Sequence, residues 1–396
     1  MVRGEEAREV NGDSLKVVRY GIVGCGMMGQ EHMMNLFHLA GAQVVAIADT
    51  SRVSLTQACA LSTRSGHSRN LEIFRNHGDL LDSGLCDVVI ISTPNMTHAQ
   101  IIMDVLAHPG RHHILVEKPL CTHVADCKKV MEAAKRRPDI LVQVGLEYRY
   151  MPPVAKLLKH VKASTFGRVR MISIKEHRFP FLVKASDFYC LVDDWNRFNE
   201  NTGGTLVEKC CHFFDLMNLM ADSRPRRVMA SGAQDVNHLD ERYNGKVPDI
   251  IDNAYVIVEY ENGIRAMLDL CMFAEGSKNE QEISVVGDLA KVEALVPENV
   301  MRLGSRSGSR EGVETFHCHD DRIKYSGLHH GSSYLEHLDF IDAVRSHGRK
   351  PPVVGLYEGL LSVAIGQAAQ LSIKLRRFVN LDEVMQEKVS EEVVAF

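Results

Sequence analysis

The 396-residue chain is 45% hydrophobic and 24% charged, with a formal net charge of −5. That is the balance of an ordinary globular protein long enough for two domains, each with its own core. Both charge signs are spread along the chain, which excludes the basic excess of a dedicated nucleic-acid surface. No run approaches the roughly 20 apolar residues of a membrane span.

Residues 1–17 lack the apolar stretch of a signal peptide and read as a flexible leader. From there to about residue 150, apolar strands alternate with helical patterns. Strands are expected at Arg19–Val23, Val44–Ala48, Val88–Ser92, Ile114–Val116 and Leu141–Val144. Helices are expected at Met28–Leu39, Val53–Leu61, His98–Leu106 and Val124–Ala134. Such alternation predicts a doubly wound α/β domain, its parallel sheet covered on both faces. After Met151 one helix, Val154–Val161, gives way to strand-like runs at Arg168–Glu176, Arg227–Ala233, Ala254–Tyr260, Arg265–Met272, Glu282–Val286 and Ala290–Ala294. They predict an α+β domain over 151–375 with a large open, mostly antiparallel sheet. A long helix is expected over Gly204–Met220, a loop over 302–330, and closing helices near Ser333–Ser346 and Leu356–Arg377. Residues 376–396 read as a peripheral tail. Ten cysteines without a Cys-x-x-Cys pair read as reduced thiols of a cytoplasmic protein.

Gly24-Cys25-Gly26-Met27-Met28-Gly29 follows the first strand and opens the first helix. Its glycines permit a tight turn, close approach of backbone to a pyrophosphate, and close helix–strand packing. The helix N-terminus offers free N–H groups to the anion. Asp49 ends the second strand, 25 positions after Gly24, where an acid hydrogen-bonds a ribose. A carboxylate there repels a 2′-phosphate, favouring NAD over NADP, with Arg52 a possible softening. Thr93-Pro94-Asn95, with His98 beyond, and Glu117-Lys118-Pro119 each follow a strand C-terminus. They are candidate nicotinamide-side contacts, Glu117 toward a ribose and Lys118 toward the reacting carbon.

This ordered set resembles the glucose–fructose oxidoreductase / inositol dehydrogenase / rhizopine catabolism (Gfo/Idh/MocA) family. The resemblance continues through Gly203-Gly204-Thr205-Leu206-Val207-Glu208 and His212 to Asp215 and spans about residues 18–375. It implies an NAD-dependent oxidoreductase acting on a sugar, inositol or related polyol, assembled as a homodimer or homotetramer through the open sheet. It assigns Lys118 as catalytic and His212 as the histidine of an Asp–His pair, with Glu208 standing at the aspartate's place. The residues agree: Glu208 and His212 lie at i and i+4, one face of the expected helix. A histidine suits the removal of a hydroxyl proton, and a nearby cation stabilises the alkoxide. His212 is therefore the expected base, Lys118 its electrostatic partner and Glu208 an orienting group, with the roles of Lys118 and His212 interchangeable at this point. Tyr148, Arg149, Trp195, Asn196 and Arg197 are further candidate substrate contacts. His317, Cys318, His319, Asp320, His329 and His330 have metal-binding chemistry, but their spacing fits no compact zinc pattern, and no metal is expected. Two other functions remain open: an NAD-retaining glycosidase or sugar-modifying enzyme, and a non-catalytic dinucleotide- or sugar-sensing protein.

Overall fold

The computed structural model describes residues 17–180, 194–307 and 312–386. The leader at 1–16 and the end of the tail at 387–396 lie outside the described residues.

The first half holds six strands: β1 (Val18–Val23), β2 (Ala42–Ala48), β3 (Glu72–Phe74), β4 (Val88–Ile91), β5 (His113–Glu117) and β6 (Val142–Gly145). They are ordered β3-β2-β1-β4-β5-β6, and every ladder is parallel. β4 and β5 are buried along their whole length. The apolar runs Val88–Ile91 of β4 and Ile114–Val116 of β5 are what strands covered by helices on both faces require. The strand order reverses between β1 and β4, opening a crevice beyond their C-terminal ends.

The second half holds β7 (Val169–His177), β8 (Pro225–Ala233), β9 (Asn253–Tyr260), β10 (Arg265–Cys271), β11 (Gln281–Gly287), β12 (Ala290–Val296), β13 (Val300–Ser305), β14 (Glu314–His317) and β15 (Val379–Asn380). Their order is β14-β13-β12-β11-β7-β10-β9-β8-β15. Only the β7–β10 ladder is parallel. Burial alternates: on β9, Ala254, Val256, Val258 and Tyr260 are buried, while Tyr255 and Ile257 are exposed. The inner face packs against helices Cys211–Ala221 and Leu356–Leu375. The outer face leaves Met171, Tyr255, Ile257 and Met267 exposed.

The chain crosses between the halves more than once. Helix Ser332–Arg345 returns to pack on helix Met27–Phe37. Its Tyr334, Phe340, Ile341 and Val344 share one core cluster with Tyr20, Ile22 and Leu36. Helix Leu356–Leu375 touches β6 and helix Val124–Lys135 on one side and β8 on the other.

Three expectations need correction. The helix over Gly204–Met220 is two pieces, Thr205–Glu208 and Cys211–Ala221. The Cys210 N–H reaches back five residues to the Thr205 carbonyl, which interrupts the regular ladder. The loop over 302–330 begins inside β13, which forms a hairpin with β14. Residues 376–386 are no peripheral tail: β15 pairs with β8, and Val379 and Leu381 are buried.

Candidate active site

A cavity of about 1190 Å³ runs from the glycine turn after β1 to the broken helix of the second half. At one end lie Gly24, Gly26, Met27, Met28 and Asp49. Each glycine is required for a different reason. Gly24 has φ +93°, and a Cβ there would lie 2.6 Å from the Ser92 carbonyl. A Cβ on Gly29 would lie 2.0 Å from the Gly24 oxygen, so this residue sets the approach of helix to turn. Gly26 instead faces open space, with nothing within 4 Å of a Cβ position. That is the clearance a pyrophosphate against the backbone needs. The helix beginning at Met27 has no side-chain cap, which leaves its first N–H groups for an anion. Asp49 accepts from the Cys25 and Ser51 N–H groups, both at 2.7 Å, pinning the glycine turn to β2. These features fit a dinucleotide.

At the other end, the C-terminus of β5 delivers Lys118. Its partner Glu117 is locked: one oxygen lies 3.0 Å from His32 Nε2, and the other accepts the Lys118 N–H at 3.1 Å. Lys118 Nζ donates to the Glu208 carbonyl at 3.3 Å. Burial works against its charge, but Cys211, Glu208 and Glu117 outweigh that and raise its pKa above the ordinary lysine value. Lys118 is therefore a fixed cation.

His212 stacks on Tyr148, centroids 4.0 Å apart and planes 7° apart. Burial, then the cations Lys118 and Lys209, push its pKa well below the ordinary histidine value. It is a neutral imidazole, with one ring nitrogen unprotonated. Burial raises the Glu208 carboxyl to about 7, against the pull of Lys118, Arg197 and Lys209. The Glu208 Oε2 atom is buried with no hydrogen-bond partner. A buried orphan acceptor on a cavity wall is a place for a ligand hydroxyl.

Comparison with known proteins fits this geometry. Residues 18–146 match the NAD-binding Rossmann fold of an oxidoreductase family, and residues 159–381 match the same family's C-terminal alpha/beta domain. The chain belongs to the Gfo/Idh/MocA oxidoreductase family. It is 26% identical over 370 residues to a myo-inositol 2-dehydrogenase of Thermotoga maritima, covering 93% of this chain and 100% of that one. The fold is also that of an oxidoreductase domain protein from Kribbella flavida, with TM-score 0.78 at 19% identity over 92% of this chain and 99% of the other. A levoglucosan dehydrogenase solved with NADH and levoglucosan has TM-score 0.78 at 19% identity, over 92% and 100% of the two chains.

The cavity gathers most of the residues expected from the sequence, but not all. Thr93, Pro94, Asn95, Glu117, Lys118, Tyr148, Trp195, Asn196, Glu208 and His212 line it. His98 does not; its ring nitrogens sit 2.8 Å from the Pro119 carbonyl and 3.0 Å from that of Thr93, bracing the two strand ends. Arg52 is exposed outside the cavity lining. Arg149 turns away to grip Asp215 with two hydrogen bonds of 2.5 Å. Arg197 is buried against Glu241 at 3.0 Å. Arg149 and Arg197 thus lie outside the cavity lining, each held in an ion pair. Among the described residues, no three His, Cys, Asp or Glu side chains converge as a metal site.

Sequence reasoning gave no site role to several lining residues, Lys209, Arg178 and His77 among them, and singled out His329 only for its metal-ligand chemistry. Lys209 donates to the Tyr148 hydroxyl at 2.8 Å and pairs with Glu176 at 2.9 Å. Its signal was a charge beside Glu208, in a stretch from Leu206 to Phe214 that is apolar apart from Glu208, Lys209 and His212. Arg178 lines the wall beside it, and His329 arrives from the segment before helix Ser332–Arg345.

Proposed function

We propose that the protein is an NAD-dependent dehydrogenase that moves a hydride between nicotinamide and a ring carbinol of a sugar, inositol or related polyol. One observation carries the reading. Neutral His212, cationic Lys118 and the unpartnered oxygen of Glu208 share one end of a cavity whose other end is a dinucleotide cradle. The cavity exceeds the roughly 300–1,000 Å³ of a site for one small ligand, as a cofactor and a substrate together require. The inositol dehydrogenase relative supports the polyol class. Asp49 at the ribose end, without Arg52 in the lining, supports NAD over NADP.

NAD, when bound, supplies the hydride acceptor. His212 takes the hydroxyl proton, a role worth roughly 10²–10⁴ in rate. Lys118 holds the alkoxide through its fixed charge. Glu208 accepts a hydrogen bond from a neighbouring hydroxyl and so aligns the ring. The test is absorbance at 340 nm with NAD against a panel of inositols, aldoses and anhydrosugars. NAD reduction by one of them is expected, falling by about 10²-fold or more in Lys118→Ala and in His212→Ala. Near-wild-type turnover in His212→Ala would remove His212 as the base.

The same reading extends to assembly. The exposed Met171, Tyr255, Ile257 and Met267 lie on the outer face of one sheet. In register, Met267 neighbours Ile257, and Met171 neighbours Arg265 one strand over. An apolar sheet face of this kind calls for burial against a second copy.

A further inference from the structure

Glu147 follows β6 and is buried, with a side chain 3% exposed. Its two oxygens face two histidines. Oε2 lies 3.8 Å from His212 Nδ1, and Oε1 lies 3.6 Å from His329 Nδ1. Both Glu147 Oε2 and His212 Nδ1 are buried without a hydrogen-bond partner. Two orphan polar atoms so close are a hydrogen bond waiting on a shift of under about 1 Å. His329 also lies 3.3 Å from Ser333 Oγ, lines the cavity, and is 24% exposed, against 2% for His212. Of the three groups, His329 meets solvent.

We propose that Glu147 decides which ring nitrogen of His212 carries the proton, and passes protons between His212 and His329. The proposal rests on His212 being the proton acceptor of the dehydrogenase reading. In oxidation the carbinol C–H bond breaks and its electron pair leaves with hydrogen as hydride to the nicotinamide. The hydroxyl proton goes to His212 Nε2. For Nε2 to be vacant, the single proton of neutral imidazole must sit on Nδ1, which needs an acceptor there. Ionised Glu147 is that acceptor. The Nδ1 proton then moves to Glu147 and on to water in one concerted shift through neutral His329, whose pKa burial lowers to about 3, so that polyol and NAD give ketone, NADH and one released proton. A protonated Glu147 instead donates to Nδ1 and leaves the proton on Nε2, the form that serves ketone reduction.

The ionisable groups around Glu147 are Glu117, Lys118, Tyr148, Lys209, Cys211, His212, His329 and Glu336. Burial, helped by Glu117, raises its carboxyl to about 8. Oxidation then rises with pH through about 8 as Glu147 ionises, and reduction falls through the same range.

The experiment uses the full chain with NAD and myo-inositol, reading kcat at 340 nm from about pH 6 to 10 in wild type, Glu147→Gln, Glu147→Asp and His212→Ala. Expected are a slope near tenfold per pH unit below the midpoint in wild type, its loss in Glu147→Gln with about 10²-fold lower kcat, and its return in Glu147→Asp. A wild-type slope retained in Glu147→Gln, with His212→Ala inactive, overturns the role of Glu147 alone. An active His212→Ala overturns the assignment of His212 as the base, on which the role of Glu147 rests. If myo-inositol is not turned over, ring ¹⁵N spectra of histidine-labelled protein decide, with His212→Gln identifying the resonance. The His212 tautomer should invert between about pH 7 and 9 in wild type and stay fixed in Glu147→Gln. A wild-type tautomer that does not invert refutes the proposal.

Discussion

Asp49 shows how one side chain serves two ends. Both its oxygens already hold backbone N–H groups, of Cys25 and Ser51, at 2.7 Å. Spare lone pairs remain for ribose hydroxyls. Asp49→Ala removes the pin on the glycine turn as well as the proposed ribose contact. It should raise KM for NAD about tenfold or more and narrow the preference over NADP, which initial-rate kinetics with both cofactors would measure. Asp49, the glycines and Lys118 were legible because their chemistry is tied to strand ends, and strand ends follow from apolar periodicity. Glu147, Lys209 and His329 were less so. Their places come from tertiary packing: Lys209 and His329 line the cavity, Glu147 lies beside His212, and Arg149, next but one to Glu147, points elsewhere. Nothing in the stretch Glu147-Tyr148-Arg149-Tyr150 marks Tyr148 as the member that lines the cavity.

The broken helix makes the same point for a whole element. Periodicity over Gly204–Met220 reads as one helix, yet the ladder slips at Cys210. Glu208 and His212 reach one cavity from two short helices, with Lys209 between them at the break. Arg149 fastens the second piece by its ion pair with Asp215, a residue only 1% exposed. Arg149→Ala leaves that carboxylate buried and unpaired, a change that typically costs about 3–5 kcal/mol. The urea midpoint should fall accordingly. Replacing both residues, as in Arg149→Met with Asp215→Leu, should recover much of the loss. Equal loss in the double variant would show that the pair is not what holds the helix.

For the molecule as a whole, the alternating strands gave the order of the two sheets correctly in kind, but not their edges. β14 and β15 are four and two residues long. Neither has the length or apolar pattern that marks a strand, and each exists because a neighbouring edge was there to pair with. The outer face carries the remaining expectation at this scale. Ile257→Glu places a charge among Met267, Met229 and Tyr255 without touching the inner core. Light scattering after size exclusion should show the assembly reduced to monomer, with unfolding of each chain little changed. An unchanged mass would exclude this face from the interface.

The return of helix Ser332–Arg345 to the first half also bears on how the protein is made. Tyr334, Phe340 and Ile341 complete the apolar layer around Tyr20, Ile22 and Leu36. Those three early residues leave the ribosome some 300 positions ahead of their partners. At synthesis speeds of about 5–20 residues per second, that is an interval of roughly 15–60 seconds with one face of the nucleotide domain uncovered. The newborn chain spends that interval as a client for whatever shields exposed apolar surface, and the domain closes only when translation is nearly done.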